Sequence, residues 1–84
     1  MARFEVLIKP SAAKELEAIP RKKDRQRIVR RIRGLAEDPR PPGCQKLSGR
    51  ERYRIRQGVY RIVYAVEEDR LVVYVVKVGH RKDV

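Results

Sequence analysis

Tyr53-Arg54-Ile55-Arg56-Gln57-Gly58-Val59-Tyr60-Arg61-Ile62-Val63-Tyr64 is the stretch on which the fold turns. Apolar and cationic residues alternate on both sides of Gln57-Gly58, and the apolar ones are β-branched or aromatic, as half-buried strands require. Gln57-Gly58 fits a tight hairpin turn, with glycine supplying the positive φ. That loop sets Arg56 against Val59, Ile55 against Tyr60 and Arg54 against Arg61. Residues directly opposite share a face. One face then carries Tyr53, Ile55, Tyr60, Ile62 and Tyr64 and reads as core. The other carries Arg52, Arg54, Arg56 and Arg61. Arg54 across from Arg61 is repulsive in a bare sheet, and becomes sensible when an anion such as a phosphate sits between them. A two-residue error in the loop keeps these faces, whereas a one-residue bulge inverts them.

Working outward, Leu71 to Val78 continues as a further strand after the turn Glu67-Glu68-Asp69-Arg70, giving a meander. Its regular phase pairs Val66 with Leu71, Tyr64 with Val73 and Arg61 with Val76. His80 then shares the face of Arg61, and Arg81 arrives at the same end. Val63, Ala65, Val72, Tyr74, Val76 and Val78 make an apolar strip on the outer face. Upstream, Phe4 to Ile8 is a short strand, and Pro10-Ser11 stops it, with Ser11 as N-cap of a helix reaching Ile19. Arg21 to Glu37 has apolar residues at Ile28, Val29, Ile32 and Leu35, a helical spacing with a densely cationic outer face. The order β-α-α-β-β-β predicts an α+β fold: a twisted antiparallel sheet with two helices on one face.

The chain has 84 residues, read as one domain spanning 1–84, with 22 Lys and Arg against 11 Asp and Glu. The resulting charge of +11 attracts polyanions in a salt-dependent way, nucleic acid first and an acidic protein second. No apolar run approaches the roughly 20 residues that span a bilayer, and the N-terminus has no signal core, so a cytoplasmic protein without a membrane partner is expected. Cys44 is the single cysteine, and no His, Asp or Glu cluster suggests a metal, so neither metal nor cofactor is expected. Arg54, Arg56, Arg61, His80 and Arg81 form the candidate functional cluster, to which the resemblance described below gives a catalytic role. Lys46, Arg50 and Arg52 flank them as candidate nucleic-acid contacts. Tyr60, Tyr64 and Tyr74 read as core and edge residues, and the helix Arg21 to Arg33 as a general RNA-attracting face.

Several of these segments resemble the RelE/ParE toxins. The similarity lies in Ile8-Lys9-Pro10-Ser11-Ala12-Ala13-Lys14-Glu15-Leu16, in Leu47-Ser48-Gly49, in Tyr53-Arg54-Ile55-Arg56, in Gly58-Val59-Tyr60-Arg61-Ile62-Val63-Tyr64, and in the ending Val78-Gly79-His80-Arg81-Lys82-Asp83-Val84. The resemblance implies a type II toxin, neutralised by an acidic antitoxin. In the RelE branch it implies a ribosome-dependent endoribonuclease that cuts mRNA in the A site by metal-free attack of the 2′-hydroxyl. The family's basic positions fall on Arg54, Arg56, Arg61 and Arg81, with Arg61 and Arg81 stabilising the transition state. His80 is the candidate base, being the one side chain with an ordinary pKa near neutrality. Many relatives continue with a tyrosine beyond the point matching Val84, so weak cleavage is expected of this sequence. The alternatives are a ParE-like gyrase inhibitor without chemistry and an RNA- or antitoxin-binding remnant.

Overall fold

The computed structural model describes residues 3–47 and 51–82. Its elements are β1 (Glu5–Ile8), α1 (Pro10–Glu17), α2 (Lys22–Gly34), β2 (Gln45–Leu47), β3 (Arg52–Gln57), β4 (Tyr60–Glu67) and β5 (Val72–His80). The α+β architecture with two helices is as expected, with two additions. β2 is a three-residue edge strand, too short to carry a readable alternation. β1 lies parallel to β5, so the sheet, in the order β1-β5-β4-β3-β2, is mixed rather than wholly antiparallel. Alternation in a sequence assigns faces to strands but not neighbours.

α1 begins one residue earlier than its predicted cap. Lys9 occupies the N-cap position and Pro10 the first turn, where its missing N–H costs nothing and its fixed φ suits a helix. Ser11 therefore lies within the helix. The predicted continuation of α2 to Glu37 stops at Gly34. Ala12, Ile28, Ile32 and Leu35 from the helical region close over Tyr53, Ile55, Ile62, Tyr64, Val73, Val75 and Val78 in one core. The loop after α2 is tied to this core from both sides. Tyr64 donates its hydroxyl to the carbonyl of Pro39 at 2.6 Å, and Arg40 bonds the Tyr53 hydroxyl at 2.9 Å while pairing with Glu68. Pro42-Gly43 then turns the chain, with Gly43 at φ +90° and Cys44 N–H returning to the Pro41 carbonyl at 3.1 Å.

Two registers differ from expectation. The β3–β4 loop is Gly58-Val59, not Gln57-Gly58, so Gln57 faces Tyr60 and Arg56 faces Arg61. Gly58, at φ +61°, takes the first loop position, which a type II′ turn reserves for glycine. The shift is two residues, so the faces survive. Arg54 is opposite Val63, and the like-charged pair is Arg56 with Arg61. In β5 a bulge interrupts the ladder: Tyr64 faces Val75, but Val63 faces Lys77, which leaves Val76 as the extra residue. Without it, Lys77 would follow Val73 and Val75 into the core, where an ammonium is costly. With it, Val78 enters the core and Lys77 turns out. Val78 therefore leaves the predicted outer strip, while Ala65, Val72, Tyr74 and Val76 remain half-buried and Val63 is buried in register between Arg54 and Lys77.

Beyond Ile8, β1 no longer covers the edge of β5. Glu15 of α1 takes over, accepting from Val78 N–H at 3.1 Å and meeting Lys77 Nζ at 3.5 Å. A carboxylate thus occupies the edge that a strand would otherwise extend. Among the described residues no helix is long and apolar enough to cross a membrane.

Candidate nucleic-acid interface

Alternation along β3 sends Arg52, Arg54 and Arg56 to the sheet face away from the helices, and the antiparallel register adds Arg61 beside Arg56. β5 contributes through its end rather than its face. Arg61 lies opposite Gly79, which brings no side chain to that position. The chain then bends so that Arg81 N–H donates to the carbonyl of Val59 in the β3–β4 turn at 2.8 Å. That bond anchors the backbone of Arg81 to the hairpin tip. A cavity of about 120 Å³ results, lined by Arg56, Gly58, Tyr60, Arg61 and Arg81. Arg54 stands next to it, its guanidinium held by the Gln45 side chain of β2.

Among the described residues, the charges acting on Arg61 are all positive. The Arg61 guanidinium is driven below its ordinary pKa by desolvation first, then by the positive charges of Arg54, Arg56 and Arg81. It stays protonated at any working pH. The cluster is therefore a set of fixed donors under mutual repulsion, and an anion entering it relieves that repulsion while accepting hydrogen bonds. A dianionic or monoanionic phosphoryl group has the charge and acceptor geometry that guanidinium forks match.

The other predicted site residues lie elsewhere. The bulge places His80 opposite Tyr60, in edge-to-face contact at 5.9 Å, and not on the face of Arg61. Its Nδ1 accepts the N–H of Lys82 at 3.2 Å, so the lone pair facing that turn is engaged. Lys46 pairs with Tyr53 in register, on the face opposite the cluster, and its ammonium meets Glu51 at 3.4 Å. Arg52 shares the cluster's face at its far end, opposite Ala65. Arg50 lies outside the described residues. Sequence reasoning missed Gln45, because β2 is too short to read, and the Val59 carbonyl, because backbone acceptors leave no compositional mark. The sequence itself held an unused clue to the bulge: Lys77 falls in phase with Val73 and Val75.

Three comparisons bear on this geometry. A family model described as the ParE toxin of type II toxin–antitoxin systems, parDE, matches residues 6–84. No curated protein matches the sequence. Among solved structures, the RelE–RelB complex from Pyrococcus horikoshii OT3 is similar at 26% identity and a TM-score of 0.81, with all of both chains covered. A mutant of the E. coli toxin RelE in complex with an antitoxin RelBc peptide is 31% identical at a TM-score of 0.76, covering 95% of this chain and 84% of that one. The RelB–RelE complex from Methanococcus jannaschii is 28% identical at a TM-score of 0.74, covering 92% of each chain.

Proposed function

The chain belongs to the RelE/ParE family of type II toxins, and from that membership we propose that it is a ribosome-dependent endoribonuclease acting on mRNA. The observation that carries the reading is the cavity at the hairpin tip, where Arg56, Arg61 and Arg81 converge with Arg54 beside them. In this reaction the 2′-oxygen of one nucleotide attacks the adjacent phosphorus and the bond to the 5′-oxygen breaks. The products are a 2′,3′-cyclic phosphate and a 5′-hydroxyl: the 2′-hydroxyl releases its proton to water and the departing 5′-oxygen takes one up from water, so protons balance. Charge accumulates on the phosphoryl oxygens, and preorganised guanidinium groups oppose it without reorganising. Arg61 and Arg81 are suited to that role, and Arg54 and Arg56 to holding the substrate phosphate and favouring ionisation of the nearby hydroxyl.

This assignment makes catalysis electrostatic. The proposal leaves His80 outside the proton transfer, because its ring packs against Tyr60 and its Nδ1 accepts Lys82 N–H. An acidic antitoxin is the proposed partner; the solved relatives from P. horikoshii and M. jannaschii are complexes with RelB. The charge of +11 and the half-buried strip of Ala65, Val72, Tyr74 and Val76 suit such a partner.

The second reading, inhibition of DNA gyrase without chemistry, has the description of the family model in its favour. Primer extension on a message translated in vitro separates the two. Added protein should produce discrete cuts that require ribosomes, and Arg61→Ala should lower their rate by roughly 10²–10³ while the fold is kept. Absence of cuts together with inhibited supercoiling would replace the nuclease reading with the gyrase one.

A further inference from the structure

The arginine cavity does not end at the hairpin. It shares Gly58 and Tyr60 with a second concavity of about 240 Å³, which Arg21, Asp24 and Arg27 of the α2 N-terminal region help to line. That concavity shares Arg27 and Gln57 with a third, of about 380 Å³, reaching Arg30, Arg31 and Pro41. One depression thus runs from the outer face of the sheet, around the β3–β4 turn, onto one flank of α2. Arginines punctuate its whole length, and Asp24 is the single carboxylate among its described lining residues. Arg27 and Arg31, one helical turn apart, face the same way along it. Neither forms an ion pair among the described residues. The half-exposed Tyr60 and Pro41 give the floor a sequence-tolerant apolar element.

We propose that this depression is a track for single-stranded RNA, so that a strand held at the arginine cavity continues around Gly58 and along the Arg27–Arg31 flank of α2. A groove of spaced guanidinium groups with an aromatic beside it follows a phosphate backbone without reading sequence. The bare Gly58 at the bend leaves the turn low, so the path is not blocked there. The opposite flank of α2 is different in kind: Arg25 is spent on the carbonyls of Ile19 and Pro20 between the helices, and Glu17 joins Lys22 and Arg33 around a groove beside Leu16 and Val29 that meets the track only at Arg30. The cationic helix therefore has one face that extends the site and one that does not. The proposal takes its choice of RNA from the nuclease reading.

Fluorescence anisotropy with 2′-O-methyl oligouridylates, which cannot be cut, tests the track on the intact chain. Oligomers of about 4 and about 12 nucleotides bracket the cavity alone and the full path. The longer one should bind more tightly and with a steeper salt dependence. Arg27→Ala/Arg31→Ala should weaken the long oligomer by roughly an order of magnitude and flatten its salt slope by about 1.4, two lost contacts at about 0.7 each, while sparing the short one. Arg33→Ala should change neither. Arg27→Ala alone, at an exposed position, gives half of the effect should the double variant fold poorly. A long oligomer that binds no better than the short one, or an Arg33 variant equal to the double variant, overturns the track. So does an oligoglutamate peptide that depends on Arg27 and Arg31 when the RNA does not. Cleavage is scored separately: a wild-type chain that never cuts yet shows the length-dependent gain sinks the nuclease reading and keeps the track.

Discussion

Replacing Glu15 with alanine tests how the bulged end of β5 is held, and through it how Arg81 reaches the cavity. The Glu15 carboxylate accepts the N–H of Val78, a residue only 1% exposed, and meets Lys77 on the adjoining position. Losing the acceptor leaves a buried donor that costs about 1–3 kcal/mol, at the lower end here because the Glu15 side chain is 35% exposed and water can enter. The ion pair with Lys77 is exposed enough to add at most about 1 kcal/mol and generally less. A loss of about 1–2 kcal/mol in a domain of this size lowers Tm by roughly 5–15 °C. Glu15→Gln keeps an amide oxygen for Val78 and should recover most of that stability. Thermal unfolding gives the totals, and amide exchange at Val78 gives the location, since its protection should fall in the alanine variant alone. Cleavage should fall with it by about ten- to a hundredfold, because Arg81 follows directly from this strand and small displacements of a charged group are costly. Equal destabilisation by glutamine and alanine, or unchanged exchange at Val78, would refute the argument that the acceptor holds the bulge.

Three further outcomes follow from single residues. Tyr64 has its hydroxyl pKa raised, by burial above all and then by Cys44, so its contribution to stability is complete below the ordinary tyrosine value of about 10 and is lost as pH rises beyond it. Urea unfolding between neutral and alkaline pH should show wild-type stability falling by about 1.4 kcal/mol per pH unit in that window, and Tyr64→Phe should flatten the fall while costing about 1–2 kcal/mol at neutral pH through the lost bond to Pro39. Leu71 sits at φ 54° in the β4–β5 turn, 40% exposed, so Leu71→Asn should raise stability by about 0.5–1 kcal/mol; a lower Tm would contradict the strain argument. His80→Gln should leave ribosome-dependent cleavage within about threefold of wild type, whereas loss of a general base would cost about 10²–10⁴ and would return His80 to the mechanism.

Much of the site was legible because strand alternation is local. Arginines at 52, 54, 56 and 61 interleaved with apolar residues assign themselves to one face whatever the exact loop, since a two-residue shift in register preserves parity. The same logic placed Tyr53, Ile55, Ile62 and Tyr64 in the core, where all four lie. Hydrophobic spacing likewise announced α2 and its cationic exterior.

What the chain could not declare locally were the choices made between distant segments. The parallel edge of β1 against β5, the bulge at Val76 and the capture of Val78 by Glu15 each join residues far apart in sequence. The bulge decides most, because one extra residue reverses parity for everything after it: Val78 goes into the core, Lys77 leaves it, and His80 passes from the face of Arg61 to that of Tyr60. Composition and alternation determined which side chains bear charge and which face they share. Whether Arg81 and Arg61 meet, and whether His80 meets either, rested on packing: the core accepts a valine and rejects an ammonium, and the strand bends to satisfy it.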